Sequence, residues 1–219
     1  MQKPEGQRTG IGATTNVELS EHLIAYGSFF MRKGTRRPIS SLIWDDTVDI
    51  AIDNPLGSYR LDSIRRYSRF VVGMNSAMTT DLSFIIEFSF DKRGLDESEW
   101  SRYLDLIGIH REAAIAADVG ISYLGFSNLA FDAQTLLAQG ARQKYIFTQI
   151  TKTGRQYRGS FFFRYGMDES ALLGTNFDYA LTDRLKTGFI SNFFIGGKTT
   201  EYGLLPVSSE IRVYLQLYF

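Results

Sequence analysis

The 219-residue chain contains no cysteine. A disulfide framework and a thiolate metal site are therefore excluded, although that absence suits a cytosolic protein and an outer-membrane barrel equally. Excess charge of one sign is also missing. The 24 Lys and Arg balance 24 Asp and Glu, so there is no broad basic footprint for nucleic acid, and no nucleic-acid partner is expected. Histidine occurs only as His22 and His110, too few for a histidine-rich metal site. No apolar run reaches the roughly 18 residues that a membrane-spanning helix needs. A chain of this kind crosses a bilayer only as a closed barrel, because in lipid every backbone polar group must be paired internally. The start, Met1-Gln2-Lys3-Pro4-Glu5-Gly6-Gln7, has no apolar stretch and no small-residue cleavage site, so it is not a signal peptide. For an exported protein this implies a signal already removed, or a chain that is a fragment.

What the chain does have is aromatic side chains, 14% of the total and mostly Phe and Tyr. Interfacial girdles of a membrane barrel use them, as does a large soluble β core. The order of residues separates the two. In the last segment Ile211, Val213, Leu215, Leu217 and Phe219 alternate with Glu210, Arg212, Tyr214, Gln216 and Tyr218, a period of two. About ten residues at roughly 3.3 Å each, tilted about 45°, cover the ~25 Å apolar band of an outer membrane. A slip of one residue turns Arg212 toward lipid, at roughly 2–4 kcal/mol near the midplane. The Ile211 face is therefore assigned to lipid and the Arg212 face to a lumen.

The same pattern recurs. Leu82, Phe84, Ile86, Phe88 and Phe90 alternate with Ser83, Ile85, Glu87, Ser89 and Asp91. Leu173, Thr175, Phe177 and Tyr179 alternate with Gly174, Asn176 and Asp178, and Phe70, Val72 and Met74 with Arg69, Val71 and Gly73. Weaker strands are expected at Ala13–Leu19, Leu23–Arg32, Lys144–Thr151, Arg158–Gly166 and Leu185–Ile195, about nine in all. Three turns, Leu19–Leu23, Met78–Leu82 and Leu181–Leu185, place a hydroxyl and a carboxylate between strands, as tight turns favour. Counting back from a final strand that ends in the periplasm, the short turns fall on the periplasmic side. The long connections Lys33–Arg65, Lys92–Gln143 and Gly196–Ser208 fall outside, with Met167–Ala171 as one short outer turn. Membrane barrels show this asymmetry. The count also starts the first strand outside, so either an odd number of strands is missing before Met1, the favoured expectation, or one of the weaker strands is misassigned. The expected fold is all-β, an antiparallel transmembrane β-barrel of roughly nine strands over residues 1–219, incomplete at its N-terminus, with helical segments in one long outer loop.

Two loops are candidates for function. Asp45, Asp46, Asp49 and Asp53 supply oxygen ligands for a divalent cation, but without EF-hand spacing they read as a solvated loop, and no metal or cofactor is expected. Trp100, Tyr103, Leu104 and Ile107 share a helical face behind Asp96-Glu97-Ser98-Glu99, which suits a helix N-terminus. Asn128–Ala141 is a second helical candidate. Such helices either fold into a pore mouth or pack on a rim. A Ser–His hydrolase needs an oriented base. His22 lies in a turn and His110 has no serine close in sequence, so both read as solvated and no catalytic residue is assigned. Arg69, Glu87, Asp91, Asn176, Asp178, Glu210 and Arg212 read as pore lining, since an aqueous pore needs charged walls.

These stretches carry a family resemblance. Tyr67-Ser68-Arg69-Phe70-Val71-Val72-Gly73-Met74 turns into Leu82-Ser83-Phe84-Ile85-Ile86-Glu87-Phe88 and runs on to Gly94-Leu95-Asp96-Glu97-Ser98-Glu99-Trp100. Later come Met167-Asp168-Glu169-Ser170, Thr182-Asp183 and Glu201-Tyr202-Gly203. The chain resembles the C-terminal half of porin-like barrels of Gram-negative outer membranes, of the alginate-export type. Its end, with Ile211, Val213, Leu215, Leu217 and Phe219, is similar to the signal read by the barrel assembly machinery. The resemblance implies outer-membrane lipid, lipopolysaccharide and that machinery as partners. The leading expectation is a passive channel for small hydrophilic or anionic solutes. The alternatives are a structural barrel plugged by 94–143, and a soluble β-rich protein.

Overall fold

The computed structural model describes residues 10–34, 38–40, 59–61, 65–137 and 140–218. The strands are β1 (Gly10–Ser20), β2 (Leu23–Lys33), β3 (Pro38–Ser40), β4 (Tyr59–Leu61), β5 (Arg66–Ala77), β6 (Leu82–Asp91), β7 (Lys144–Thr153), β8 (Tyr157–Gly166), β9 (Ala171–Thr182), β10 (Leu185–Ile195) and β11 (Ser209–Leu217). Two helices, α1 (Glu97–Ala114) and α2 (Val119–Leu137), stand between β6 and β7. The nine long strands form one sheet in the order β1-β2-β5-β6-β7-β8-β9-β10-β11, and β3 pairs with β4 alone. Each strand of the large sheet thus lies beside its neighbours in sequence. Among the described residues the sheet is open, with β1 and β11 at its edges. All nine expected strands are present. The short β3 and β4 were not expected. Asp45, Asp46, Asp49, Asp53 and Phe219 lie outside the described residues.

Cross-strand partners in an antiparallel pair share a face, so the registers show how the alternation of one strand adds to the next. Phe84 pairs with Ile150 and Ile86 with Thr148. Phe163 pairs with Leu173, Phe177 with Phe189 and Phe189 with Val213. On the other face Glu87 pairs with Phe147, Phe147 with Arg164, Arg158 with Asp178, Asp178 with Gly188 and Gly188 with Tyr214. One face is therefore a continuous apolar surface from β6 to β11. The other carries the charges, interrupted by a few apolar side chains such as the Phe147–Phe162 ring pair. Among the described residues no second layer covers the apolar face: Phe161, Phe189, Phe193, Val213 and Leu215 are all exposed. On β7 its charged residues, Lys144 and Lys152, are confined to the two strand ends. Polar groups on this face are satisfied locally. Thr175 and Ser191 are cross-strand partners whose hydroxyls lie 2.5 Å apart, and the Thr187 hydroxyl donates to the Tyr214 carbonyl at 3.1 Å. Unsatisfied, each would carry a desolvation penalty in apolar surroundings.

One irregularity keeps the faces aligned. Leu185 pairs with Thr182 but Lys186 pairs with Ala180, a bulge at the start of β10. The extra residue shifts the pairing by one. Without it Gly188 would oppose Tyr179 and Phe189 would oppose Asp178, and the two faces of β9 and β10 would be exchanged relative to each other.

The chain divides into two compact units. One comprises Met1–Gly12, Phe30–Arg69 and Asp91–Gln143, the other Ala13–Phe29, Phe70–Phe90 and Lys144–Phe219. The core of the first is the helix pair, where Leu95, Trp100, Tyr103, Leu106 and Ala141 are buried. Helix α1 begins in a capping box. Asp96 Oδ1 accepts the Glu99 N–H at 2.9 Å, and Glu99 Oε2 accepts the Asp96 N–H at 3.1 Å, satisfying two donors the helix leaves open. Its buried stripe runs through Trp100, Tyr103, Leu106 and His110, so Leu104 and Ile107 are flanking rather than central. Helix α2 starts at Val119, nine residues before the expected Asn128. Its start is marked by Asp118, whose Oδ1 accepts the Ile121 N–H at 3.0 Å. The helices meet closely at Gly125, where a Cβ would lie 2.3 Å from the Ala114 nitrogen. A Gly125→Val substitution is expected to force the helices apart and destabilise this unit by roughly 1–3 kcal/mol, read as an earlier loss of helical circular dichroism on heating. An unchanged melting curve would show that the crossing is not tight.

Candidate functional site

The seven residues expected to line a pore all occupy polar-face positions, Arg69 on β5, Glu87 and Asp91 on β6, Asn176 and Asp178 on β9, and Glu210 and Arg212 on β11. They are not gathered at one point. Each carboxylate is engaged separately. Asp178 is paired with Lys186 at 3.0 Å and accepts from the Tyr214 hydroxyl. Glu210 accepts from Arg212 Nε at 2.8 Å and from Asn192 Nδ2 at 3.4 Å. Glu87 accepts from the Tyr26 hydroxyl at 2.6 Å. In the first unit Asp91 accepts from Arg93 Nε at 2.8 Å. Arg69 is exposed. Asn176 Oδ1 is buried with no hydrogen-bond partner among the described residues.

Glycine makes two of these contacts possible. Tyr26 reaches Glu87 across β5, where a Cβ on Gly73 would meet the Tyr26 ring and the Glu87 side chain at 2.9 Å. Tyr214 reaches Asp178 across β10, where a Cβ on Gly188 would lie 2.6 Å from the Tyr214 hydroxyl. In both, an aromatic ring covers an interior glycine of the middle strand and delivers its hydroxyl to a carboxylate on the third. Ring-over-glycine packing offsets the weakness of glycine in a strand. The sequence signal, glycine at polar positions of alternating strands, was present at Gly73 and Gly188 but does not name the partners.

A second cluster lies where the segment between β10 and β11 folds back. The Tyr145 hydroxyl donates to Glu201, the Glu201 N–H donates to Asp168 Oδ2 at 2.7 Å, and the Ser170 hydroxyl donates to Asp168 Oδ1 at 2.7 Å. The Arg164 guanidinium sits 3.8 Å above the Tyr145 ring, and Tyr202 packs against Phe194. Tyr145, Arg164 and Phe194 are polar-face positions in register, so this segment is held against that face. Glu201 is 2% exposed. Burial pushes the Tyr202 phenol above its usual range; Arg164 pulls it back, and Glu201 and Asp168 push it further.

In the first unit His110 corrects the sequence reading. It is 1% exposed rather than solvated. Its Nδ1 lies 2.7 Å from Asp132 Oδ2 and its Nε2 3.3 Å from Asn128 Nδ2, while the Tyr103 hydroxyl donates to the Asp132 carbonyl at 2.8 Å. This group ties α1 to α2. No serine takes part in those contacts, and nothing in the spacing of His110 and Asp132 announces them. His22 is exposed, as expected. A cleft of about 370 Å³ is lined by Arg65, Arg66, Lys92, Arg93, Asp96 and Glu99, among others. Two of its four cations are in ion pairs, Arg65 with Glu99 at 3.1 Å and Arg93 with Asp91. Burial holds the Glu99 carboxyl above its usual range. Among the described residues no group of three or more His, Cys, Asp or Glu is placed to hold a metal ion. Among the described residues no helix is long and apolar enough to cross a membrane, which says nothing of strands.

The fold and these clusters define the chain as an all-β protein built on a two-faced antiparallel sheet. No family model matches it, and a search of the curated proteins finds no match.

Two substitutions test which contacts hold the clusters. Asp132→Ala leaves His110 Nδ1 without this partner inside the helix pair and is expected to cost about 1–3 kcal/mol, measured by denaturant unfolding; a change within error would show that the contact is idle. Glu201→Ala is expected to speed amide hydrogen exchange across residues 196–208 while leaving β6 and β7 protected. Equal exchange in both proteins would mean that the segment is held by other contacts.

Proposed function

We propose that the sheet is the C-terminal part of a porin-like β-barrel, of the alginate-export type, in the outer membrane of a Gram-negative bacterium. In this reading it passes small hydrophilic solutes passively. The observation that carries it is the separation of faces. Six consecutive strands, β6 to β11, place most of their Phe, Ile, Leu and Val on one surface and most of their Arg, Asp, Glu, Asn and Gln on the other. A soluble sheet with one apolar face buries it against another layer, and the apolar side chains here are exposed. The apolar face suits the hydrocarbon of outer-membrane lipid and lipopolysaccharide, and the charged face suits a water-filled lumen. Arg69, Glu87, Asp91, Asn176, Asp178, Glu210 and Arg212 are then wall residues that bias which ions pass, not an acid–base pair. On β11 the apolar residues Ile211, Val213, Leu215 and Leu217 are exposed along an unpaired edge, the form in which the assembly machinery would read them.

The test is the full chain in a planar bilayer. Discrete unitary currents are expected, and Arg212→Glu is expected to shift the reversal potential in a salt gradient toward cation preference. Val213→Arg, one residue away on the other face, is expected to lower folded insertion by roughly 2–4 kcal/mol. Wild-type protein that inserts and never conducts would overturn the channel. Equal tolerance of arginine at 213 and of glutamate at 212 would overturn the assignment of the faces.

A further inference from the structure

The helix pair of the first unit has two unlike sides. Val119, Tyr123 and Phe126 are 81, 72 and 62% exposed, and their spacing of four and three places them on one face of α2, while Ile115, in the turn between the helices, is 84% exposed. Ile121 and Leu124 are exposed as well, on other sides of the helix. Over its 19 residues α2 carries one charged side chain, Asp132, and that one is buried against His110. The exposed side of α1 is the opposite in character, with Glu97, Asp105, Arg111 and Glu112 in solvent.

We infer that this helix pair lies in the interface of a lipid bilayer, with the exposed face of α2 against acyl chains and the charged side of α1 in water. Three observations select lipid over other occupants. A water-facing helix surface of this length, about 28 Å at 1.5 Å per residue, would carry charge. A protein partner would be met by a polar rim with about one hydrogen bond per 100–200 Å², and the exposed positions 119–131 of α2 offer little but the Tyr123 hydroxyl. Neither helix is long and apolar enough to span, so the pair lies along the surface, at a depth of about 5–10 Å as amphipathic helices do. The His110–Asp132 contact has a role in this arrangement: it keeps the one charge of α2 out of the lipid-facing side. The inference concerns the helical unit and does not rest on the channel reading.

The absence of cysteine makes single nitroxide labels straightforward. Full-length chains carrying Val119→Cys, Tyr123→Cys, Arg111→Cys or Val213→Cys are labelled and reconstituted into phosphatidylcholine vesicles. Collision rates with oxygen and with a water-soluble nickel chelate are then read by electron paramagnetic resonance. At 119 and 123 oxygen is expected to exceed the chelate, and at 111 the chelate to exceed oxygen. Chelate excess at 119 and 123 would place α2 in water and overturn the inference. Low access to both reagents would place it against protein, a second copy included, and also overturn it. Val213→Cys separates this from the barrel reading. Lipid access at 213 without it at 119 sinks the helix inference alone, and lipid access at 119 without it at 213 sinks the barrel alone.

Discussion

The two faces of the sheet depend on register parity. Alternation within a strand says only that two sets of residues point apart. It produces one apolar surface and one charged surface only when every neighbouring pair meets with like opposite like. The short turns supply this for most pairs. Between β9 and β10 the hairpin alone would not, and the bulge at Leu185 and Lys186 restores the match. The cross-strand ring contacts Tyr157–Phe177 and Phe177–Phe189 on the apolar face, and the Tyr214–Gly188–Asp178 contact on the other, all follow from it. A slip of one residue between β9 and β10 would break the Phe177–Phe189 contact and the reach of Tyr214 to Asp178 together.

Charge on the polar face is arranged so that each carboxylate has its own donor. Lys186, Arg212, Arg93, Tyr26 and Tyr214 serve five different contacts on four carboxylates. Exposed ion pairs of this kind contribute little stability individually, so their placement matters more for the local potential than for the fold. The glycines beneath Tyr26 and Tyr214 have the structural part. They trade strand propensity for close approach, and the aromatic ring returns part of that loss. The segment held by Glu201 and Tyr202 follows the same economy, using buried hydrogen bonds rather than apolar bulk to fix a connection that has few large side chains.

The helical unit is stabilised differently. Its capping box and the Gly125 crossing are local devices, and Arg142 adds a long-range one by pairing with Glu97 and lying 5.0 Å over the Trp100 ring. His110, Asp132 and Asn128 form a polar centre inside an otherwise apolar contact. Such a centre is costly if half satisfied, and here the imidazole has a partner on each nitrogen.

By itself the sequence determined the number and order of the long strands, and the facing of the four with the clearest alternation, because a period of two is a local property that needs no knowledge of partners. It also marked the start of α1, since Asp96 and Glu99 cap within one turn. Only the tertiary structure decided the rest. The bulge before Lys186 leaves no mark in the alternation. The start of α2 was missed because its residues are apolar all round, so periodicity could not separate helix from loop, and packing against α1 settles it. His110 read as solvated because its partners, Asn128 and Asp132, lie 18 and 22 residues away on another helix. Glu201 and Asp168 read as loop residues until the chain brought them to Tyr145 and Ser170. Contacts between residues distant in sequence depend on how elements pack, and packing is a property of the whole chain rather than of any window within it.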